Sequence, residues 1–463
     1  MTANQPEILS RPLRDLAASL ADADERTALF QALRTRRDTL EPKINAFELR
    51  NEDVPDHVSG PLNGLPITVK DQIAVAGLVC TSGLDRPGNK PDLTSAKIVT
   101  RFQERGAAVT GKTALPPHAM DFQTYNRRRG RTNNPHDLSF TAGGSSGGGA
   151  AAVASGMSVL DLGADLSGSL RVPAAWCGVA SLTPGEGAWP AEGMLSGGRH
   201  LEHFARVGPI ARNAADLAFA WDCVSGASRG ARDGGGRDRV RIWMPDAASP
   251  CDAPTVAAWL ALPDRIADAG VACSRDPLGS LFEPERYRLF GEIMGYETGA
   301  FIPPPVRWLM RRDKGPARKS PGFLAHVHAG YRRDKRRHAD NLAAMAAVRN
   351  DALSLLDGVD ALVLPVTGIC AFRHIEPSSD RTGVRDYDTW FDTGAGRLGY
   401  FDALTRFTVP TGLLGWPVVT LPVARDPNGL PIGAQFVGRP GGEQALLELC
   451  AKLESRLSWC AAR

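Results

Sequence analysis

The chain has 463 residues, of which 43% are hydrophobic and 23% charged, and its 54 basic and 51 acidic residues leave a formal net charge of +3. Those proportions support a substantial core and exclude a disordered chain, while so small a charge argues against a dedicated nucleic-acid binder. Eight cysteines, from Cys80 to Cys460, fall singly without C-x-x-C or zinc spacing, so reduced, mostly buried thiols and no metal site are expected.

The N-terminus lacks the apolar stretch of a signal peptide, and no run of about 18 apolar residues occurs. A cytoplasmic protein without a membrane span is therefore predicted. Residues 9–48 place Leu13, Leu16 and Leu20, then Leu29, Phe30, Leu33 and Leu40, at helical spacing, which predicts two helices. GPLNGLPITVKD (60–71) is turn chemistry leading into a short strand, Leu65 to Val69, with Lys70 at its end. TSAKIVTRFQERG (94–106) predicts a helix stopped by Gly106, and AAVTGK (107–112) the strand after it.

Within TAGGSSGGGAAAVASG (141–156) the alanine run from 150 predicts a small-residue helix. SVLDLGADL (158–166) suits a buried strand, and GSLRVPA a tight loop behind it. The stretch from about 225 to 345 is more variable. SRGARDGGGRDR (228–239) predicts a surface loop, and Arg311, Arg312, Lys314, Arg332, Arg333, Lys335, Arg336 and Arg337 a solvated positive face. DALVLPV (360–366) and WPVVTLPV (416–423) return to strands, and Glu443, Leu446, Leu447, Leu453 and Glu454 fit a closing amphipathic helix. With neither an internal repeat nor a clean linker, one α/β domain over 1–463 is expected.

Two local motif matches fail on context. GAAVTGKT (106–113) fits the P-loop pattern, but a helix precedes it, its loop reads as a strand, and Pro116-Pro117 follow almost at once. GGSSG (143–147) fits a nucleophile elbow, yet the polar RGRTNNPHDLSFTA stands where a buried strand is required.

A third match takes in nearly the whole chain. GLPITVKD, GKTALPPHA, GRTNNPHD, TAGGSSGGGAAAVASG, ADLSGSLRVPAAWCG, VGPIARNAADLA, FTVPTGLLGWPVVTLPV and GLPIGAQFVG, in that order, resemble the amidase signature family of serine hydrolases. The resemblance implies one large α/β/α domain with a central mixed sheet flanked by helices. It implies a serine amidohydrolase acting on a small-molecule amide without metal or organic cofactor, and it leaves a homodimer open. Carried over by position, Lys70 is the base, Ser145 the relay held by a cis Gly144–Ser145 peptide, and Ser169 the nucleophile. The backbone N–H groups of Leu166, Ser167, Gly168 and Ser169 would form the oxyanion hole, with Ser146, Asp165 and Arg171 holding the loop.

The chemistry agrees with that assignment. A serine hydroxyl attacks only when a base takes its proton, and a buried lysine can serve because desolvation lowers its pKa. Arginine stays protonated. In a chain whose 54 basic residues include only nine lysines, Lys70 at a strand end is informative.

Ser167 stands where the family usually has glycine. Arg127, Arg128, Arg129 and Arg131, just before the serine block, are candidates to meet a carboxylate or phosphate on the substrate, against a solvent-facing cluster. Inside the family, a glutamine-hydrolysing subunit of a tRNA-dependent amidotransferase is the alternative, disfavoured because HFARVGPIAR (203–212) replaces that subunit's S-L-D-Q-x-G-P block. Acyl transfer, ester hydrolysis and a catalytically retired binding protein complete the alternatives.

Overall fold

Fifteen strands are present in this computed structural model, which describes residues 7–51, 54, 59–85, 90–195, 201–225, 238–379 and 385–457. Cys460 and residues 228–237 of the arginine- and glycine-rich stretch lie outside the described residues. In chain order the strands are β1 (Phe47–Arg50), β2 (Pro66–Lys70), β3 (Ala108–Thr113), β4 (Tyr125–Asn126), β5 (Gly130–Arg131), β6 (Leu160–Asp165), β7 (Ala180–Thr183), β8 (Arg206–Ala211), β9 (Arg239–Trp243), β10 (Ala272–Asp276), β11 (Ala361–Pro365), β12 (Trp390–Thr393), β13 (Gly396–Gly399), β14 (Val418–Arg425) and β15 (Pro431–Val437). Pairs β4–β5 and β12–β13 stand apart, and the other eleven form one sheet in the order β1-β3-β2-β6-β8-β7-β14-β15-β11-β9-β10. The sheet is mixed: β2 runs parallel to β3 and β6, while β6 runs antiparallel to β8.

Strand alternation decides which residues share a face. Ile67 and Val69 of β2, and Leu160, Leu162 and Ala164 of β6, enter the larger core together with the helices Lys97–Glu104, Ala214–Ser225 and Glu443–Arg456. Thr68, Lys70, Asp161, Gly163 and Asp165 therefore point to the opposite face. The helix Gly147–Ala154 covers that face so closely that a Cβ on Gly163 would come within 2.9 Å of Ser146 Oγ.

This helix starts in the glycines rather than in the alanine run, because its first turn has no room for side chains. A Cβ on Gly148 would lie 2.6 Å from the Ala46 carbonyl oxygen. GSLRVPA is likewise not a loop throughout, since Arg171–Cys177 is a helix closed by Gly178 in the left-handed region. Pro173 is tolerated because it sits in the first turn, where a missing N–H breaks no helical hydrogen bond.

At the N-terminus, Leu13–Ser19 and Ala23–Ile44 are helical, as the spacing predicts. Phe47–Arg50 is a strand instead, because Asn45, at φ 57°, ends the helix and turns the chain onto the sheet edge. Lys112 lies within β3, donates to the Ile73 carbonyl at 2.7 Å and pairs with Asp71 at 3.4 Å, so it serves the core rather than a phosphate loop. The basic stretch 306–341 is largely helical, and part of its charge is answered by Glu292 beside Arg337 and Asp386 beside Lys319. Among the described residues no helix is long and apolar enough to cross a membrane.

Candidate active site

Three segments meet here: the end of β2, the loop into the helix Gly147–Ala154, and the turn after β6, which joins the serine loop through its backbone. Lys70 is fully buried. Its Nζ lies 2.7 Å from Ser145 Oγ, 2.9 Å from Ser146 Oγ and 3.5 Å from the Ala164 carbonyl. The Gly144–Ser145 peptide is cis.

The two serines are not equivalent. Ser146 Oγ donates to the Ala164 carbonyl at 3.1 Å, so toward Lys70 it can only accept. Ser145 Oγ has no other hydrogen-bond acceptor among the described residues, so its proton can go to the lysine lone pair. Burial pushes the Lys70 ammonium down to about 7, while the nearby charges of Asp165 and Asp161 act to raise it. A lysine in that range exchanges its proton near neutral pH.

Ser169 follows on the turn after β6, with 6% of its surface exposed, and its carbonyl accepts from the Ser146 amide at 3.0 Å. Asp165 organises this turn. Its carboxylate accepts from the Gly168 amide at 2.8 Å and the Leu170 amide at 3.0 Å, and pairs with Arg171 at 2.8 Å. Burial disfavours that charge, but Arg171, with Arg206 and the Leu170 amide, outweighs it and holds Asp165 well below the usual carboxylate range. Arg171 in turn donates to the Thr408 carbonyl, Thr411 Oγ1 and Gln435 Oε1, tying the turn to the far half of the sheet.

Of the expected oxyanion donors, the Gly168 amide is engaged by Asp165. The amides of Leu166, Ser167 and Ser169 make no hydrogen bond among the described residues. Gly168 is needed for shape: its φ is +130°, and a Cβ would meet Thr408 at 2.9 Å. Thr408 Oγ1 also donates to the Ser167 carbonyl at 2.5 Å.

Sequence reasoning missed three further contributors. Asp161 is fully buried on β6 below Lys70, where Thr68 Oγ1 and Thr113 Oγ1 donate to it at 2.7 and 3.0 Å. A charged residue inside an otherwise apolar strand was the signal that could have found it. Thr124 clamps the serine loop, donating to the Gly143 carbonyl at 2.8 Å and accepting from the Gly147 amide at 3.1 Å. Asp121 anchors that clamp by accepting from Tyr387 at 2.5 Å, Tyr400 at 2.8 Å and Arg385 at 3.1 Å. Those partners lie too far along the chain for any local pattern to reveal them.

The arginines fall elsewhere. Arg128, Arg129 and Arg131, on and around the β4–β5 hairpin, line a cleft of about 790 Å³ with Lys43, Arg50 and Tyr125, and no triad residue contributes to its wall. Arg129 Nε is bound to the Phe47 carbonyl at 3.1 Å and Arg131 is paired with Glu376. Arg127 does not line the cleft. Glu202, His203 and Glu297 bring metal-ligand-type atoms within 4.8 Å of one another, but His203 and Glu297 already form a 2.5 Å pair and neither belongs to the triad cluster.

The chain is a hydrolase acting on amide C–N bonds, as its likeness to known proteins shows. The amidase family model matches residues 32–261 and 317–447, and the chain belongs to that family. It is 31% identical to the putative amidase AmiB2 of Mycobacterium bovis, over 87% of this chain and 84% of that one. It is 28% identical to a glutamyl-tRNA(Gln) amidotransferase subunit of Carboxydothermus hydrogenoformans, over 92% of this chain and 93% of the other. Among solved structures, an amidase superposes with a TM-score of 0.79 at 27% identity, covering 96% of this chain and 100% of that chain. A 6-aminohexanoate cyclic dimer hydrolase shares the fold at a TM-score of 0.77 and 24% identity, covering 98% of each chain.

Proposed function

We propose that the chain hydrolyses a small-molecule carboxylic amide through an acyl-enzyme on Ser169, with Lys70 as base and Ser145 as proton relay. The observation that carries this reading is the 2.7 Å contact between a fully buried lysine and the one neighbouring serine whose proton is uncommitted. Ser169 Oγ attacks the amide carbon while its proton passes through Ser145 to neutral Lys70. The tetrahedral oxyanion is met by the amides of Leu166, Ser167 and Ser169. Its collapse breaks the C–N bond, and the leaving nitrogen takes the proton back along the same path. Water then reverses the relay, releasing the carboxylic acid and restoring Ser169. In this reading Lys70 is the base, Ser145 the relay and the free backbone amides the oxyanion donors, and every proton taken is returned.

The proposal places the enzyme in the cytoplasm and extends to a homodimer, which light scattering would distinguish from a 49.4 kDa monomer. The test of mechanism is a panel of amides and esters assayed with the wild type, Ser169→Ala, Ser145→Ala and Lys70→Ala. Each substitution is expected to lower kcat by about a hundredfold or more. Retained turnover in Ser169→Ala would assign the attack to another residue. A second reading, glutamine hydrolysis within an amidotransferase assembly, is favoured by the similarity to the Carboxydothermus protein over nearly the whole chain. Glutamine turning over fastest in the panel would select it.

A further inference from the structure

Asp161 is a buried acid that the proposed mechanism leaves without a task. It sits in the middle of β6, fully excluded from solvent, opposite Thr68 in the parallel register of β2 and β6. Two threonine hydroxyls satisfy its Oδ1, but Oδ2 has no hydrogen-bond partner. Oδ2 is pressed against the helix above it, where a Cβ on Gly149 would overlap it. A carboxylate so placed is costly unless a cation answers it.

The surroundings narrow that cation to one. The helix Gly147–Ala154 carries only glycine, alanine and valine. On β3, Thr113 faces Asp161, while Lys112 turns away to Asp71 and the Ile73 carbonyl. On β6, Asp165 shares the face of Asp161 but is neutralised by Arg171. On β8, Ile210 pairs with Asp161, and Arg206 lies at the far end against Asp165, donating to the Trp416 carbonyl. On β2, two residues beyond Thr68 and on the same face, stands Lys70. It is the one charged side chain found to act on Asp161 among the described residues.

We propose that Asp161 is a positioning residue for the base, the buried counter-charge that decides when Lys70 carries its proton. The inference rests on the reading of Lys70 as base. With the carboxyl ionised, the ammonium is held. With the carboxyl protonated, that hold is gone and Lys70 is free to accept a proton from Ser145. The two groups lie on one buried face, so the charge of one bears on the protonation of the other. Burial pushes the Asp161 carboxyl up to about 7 and brings the Lys70 ammonium down to about 7, so both change charge over the same pH range.

The test is the pH profile of kcat/KM between about pH 5.5 and 9.5 for the wild type, Asp161→Asn and Thr113→Val, with Lys70→Ala as the reference. Asp161→Asn removes the counter-charge and is expected to move the acid limb down by about one pH unit, with KM unchanged because Asp161 lies beneath the base. Thr113→Val withdraws one donor from the carboxylate, making it harder to ionise, and is expected to move the limb the same way by less. Should Asp161→Asn fail to fold, Thr113→Val decides alone. Acid limbs that coincide with the wild type in every folded variant, while Lys70→Ala is inactive, would overturn this inference and leave the mechanism standing. Wild-type activity in Lys70→Ala would instead overturn the mechanism and this inference with it.

Discussion

Replacing Lys70 by methionine should remove activity and, at neutral or acidic pH, stabilise the fold. Lys70 has no exposed surface, and burial lowers its ammonium from 10.5 to about 7. At about 1.4 kcal/mol per unit, this shift corresponds to a cost of about 5 kcal/mol wherever both the folded and the unfolded chain hold the proton. Below about pH 7 the whole cost is present. Between about 7 and 10.5 the unfolded chain binds more protons than the folded one, so wild-type stability climbs as pH rises. Methionine has a similar length and no charge, but it forfeits the hydrogen bonds to Ser145 and Ser146, at about 1 kcal/mol each. The variant should therefore be more stable by about 2–3 kcal/mol at pH 6.5, with the gap narrowing by about 2 kcal/mol at pH 8.5. Asp161 adds to the same trend, since without the ammonium its ionisation above neutrality costs more. Urea titrations of both proteins at the two pH values measure the gap, alongside an amide assay expected to show a loss of about a thousandfold. A stability gap that stays constant or widens with pH would refute the claim that Lys70 is held with a depressed pKa.

Three other outcomes follow from particular contacts. Gly149→Ala should lower stability by about 1–3 kcal/mol, read as a fall in Tm, because the new methyl overlaps Asp161 Oδ2. Arg171→Met should cost about 3–5 kcal/mol in denaturant titrations, since Asp165 would remain buried without its cation and the turn carrying Ser169 would lose its tie to Thr411 and Gln435. Arg128→Ala should leave kcat/KM for neutral amides unchanged, because no triad residue lines its cleft, and a selective loss on acidic amides would show that the cleft receives substrate.

How much of this was legible in the sequence depends on the range of the interaction responsible. PITVK, ALVLP and VVTLPVAR are short apolar runs bounded by turn residues, so β2, β11 and β14 could be read locally. The three segments that meet at Lys70 could be named from sequence because three separated blocks matched a known arrangement. Local reading failed wherever a tertiary contact overrode a local preference. The helix over the site begins in glycine, a poor helix former, because strand and loop backbone leave no room for anything larger. RVPAAWC is helical because its proline falls in the first turn and Arg171 is held through Asp165, Thr408 and Gln435.

The Gly168 amide shows the same limit within the site. Its place in the motif suggested a donor to substrate, but the carboxylate of Asp165, three residues earlier, takes it. The loop is thus held by one acid on the strand that also bears Asp161, and the two acids differ only in what answers them. Asp165 has the guanidinium of Arg171 at 2.8 Å, so its charge fixes a shape. Asp161 has only Lys70 among the described residues, and in the proposed mechanism the lysine charge comes and goes as Ser145 passes a proton. A carboxylate paired with a permanent cation builds the site, and one paired with a lysine brought near neutrality by burial can tune it.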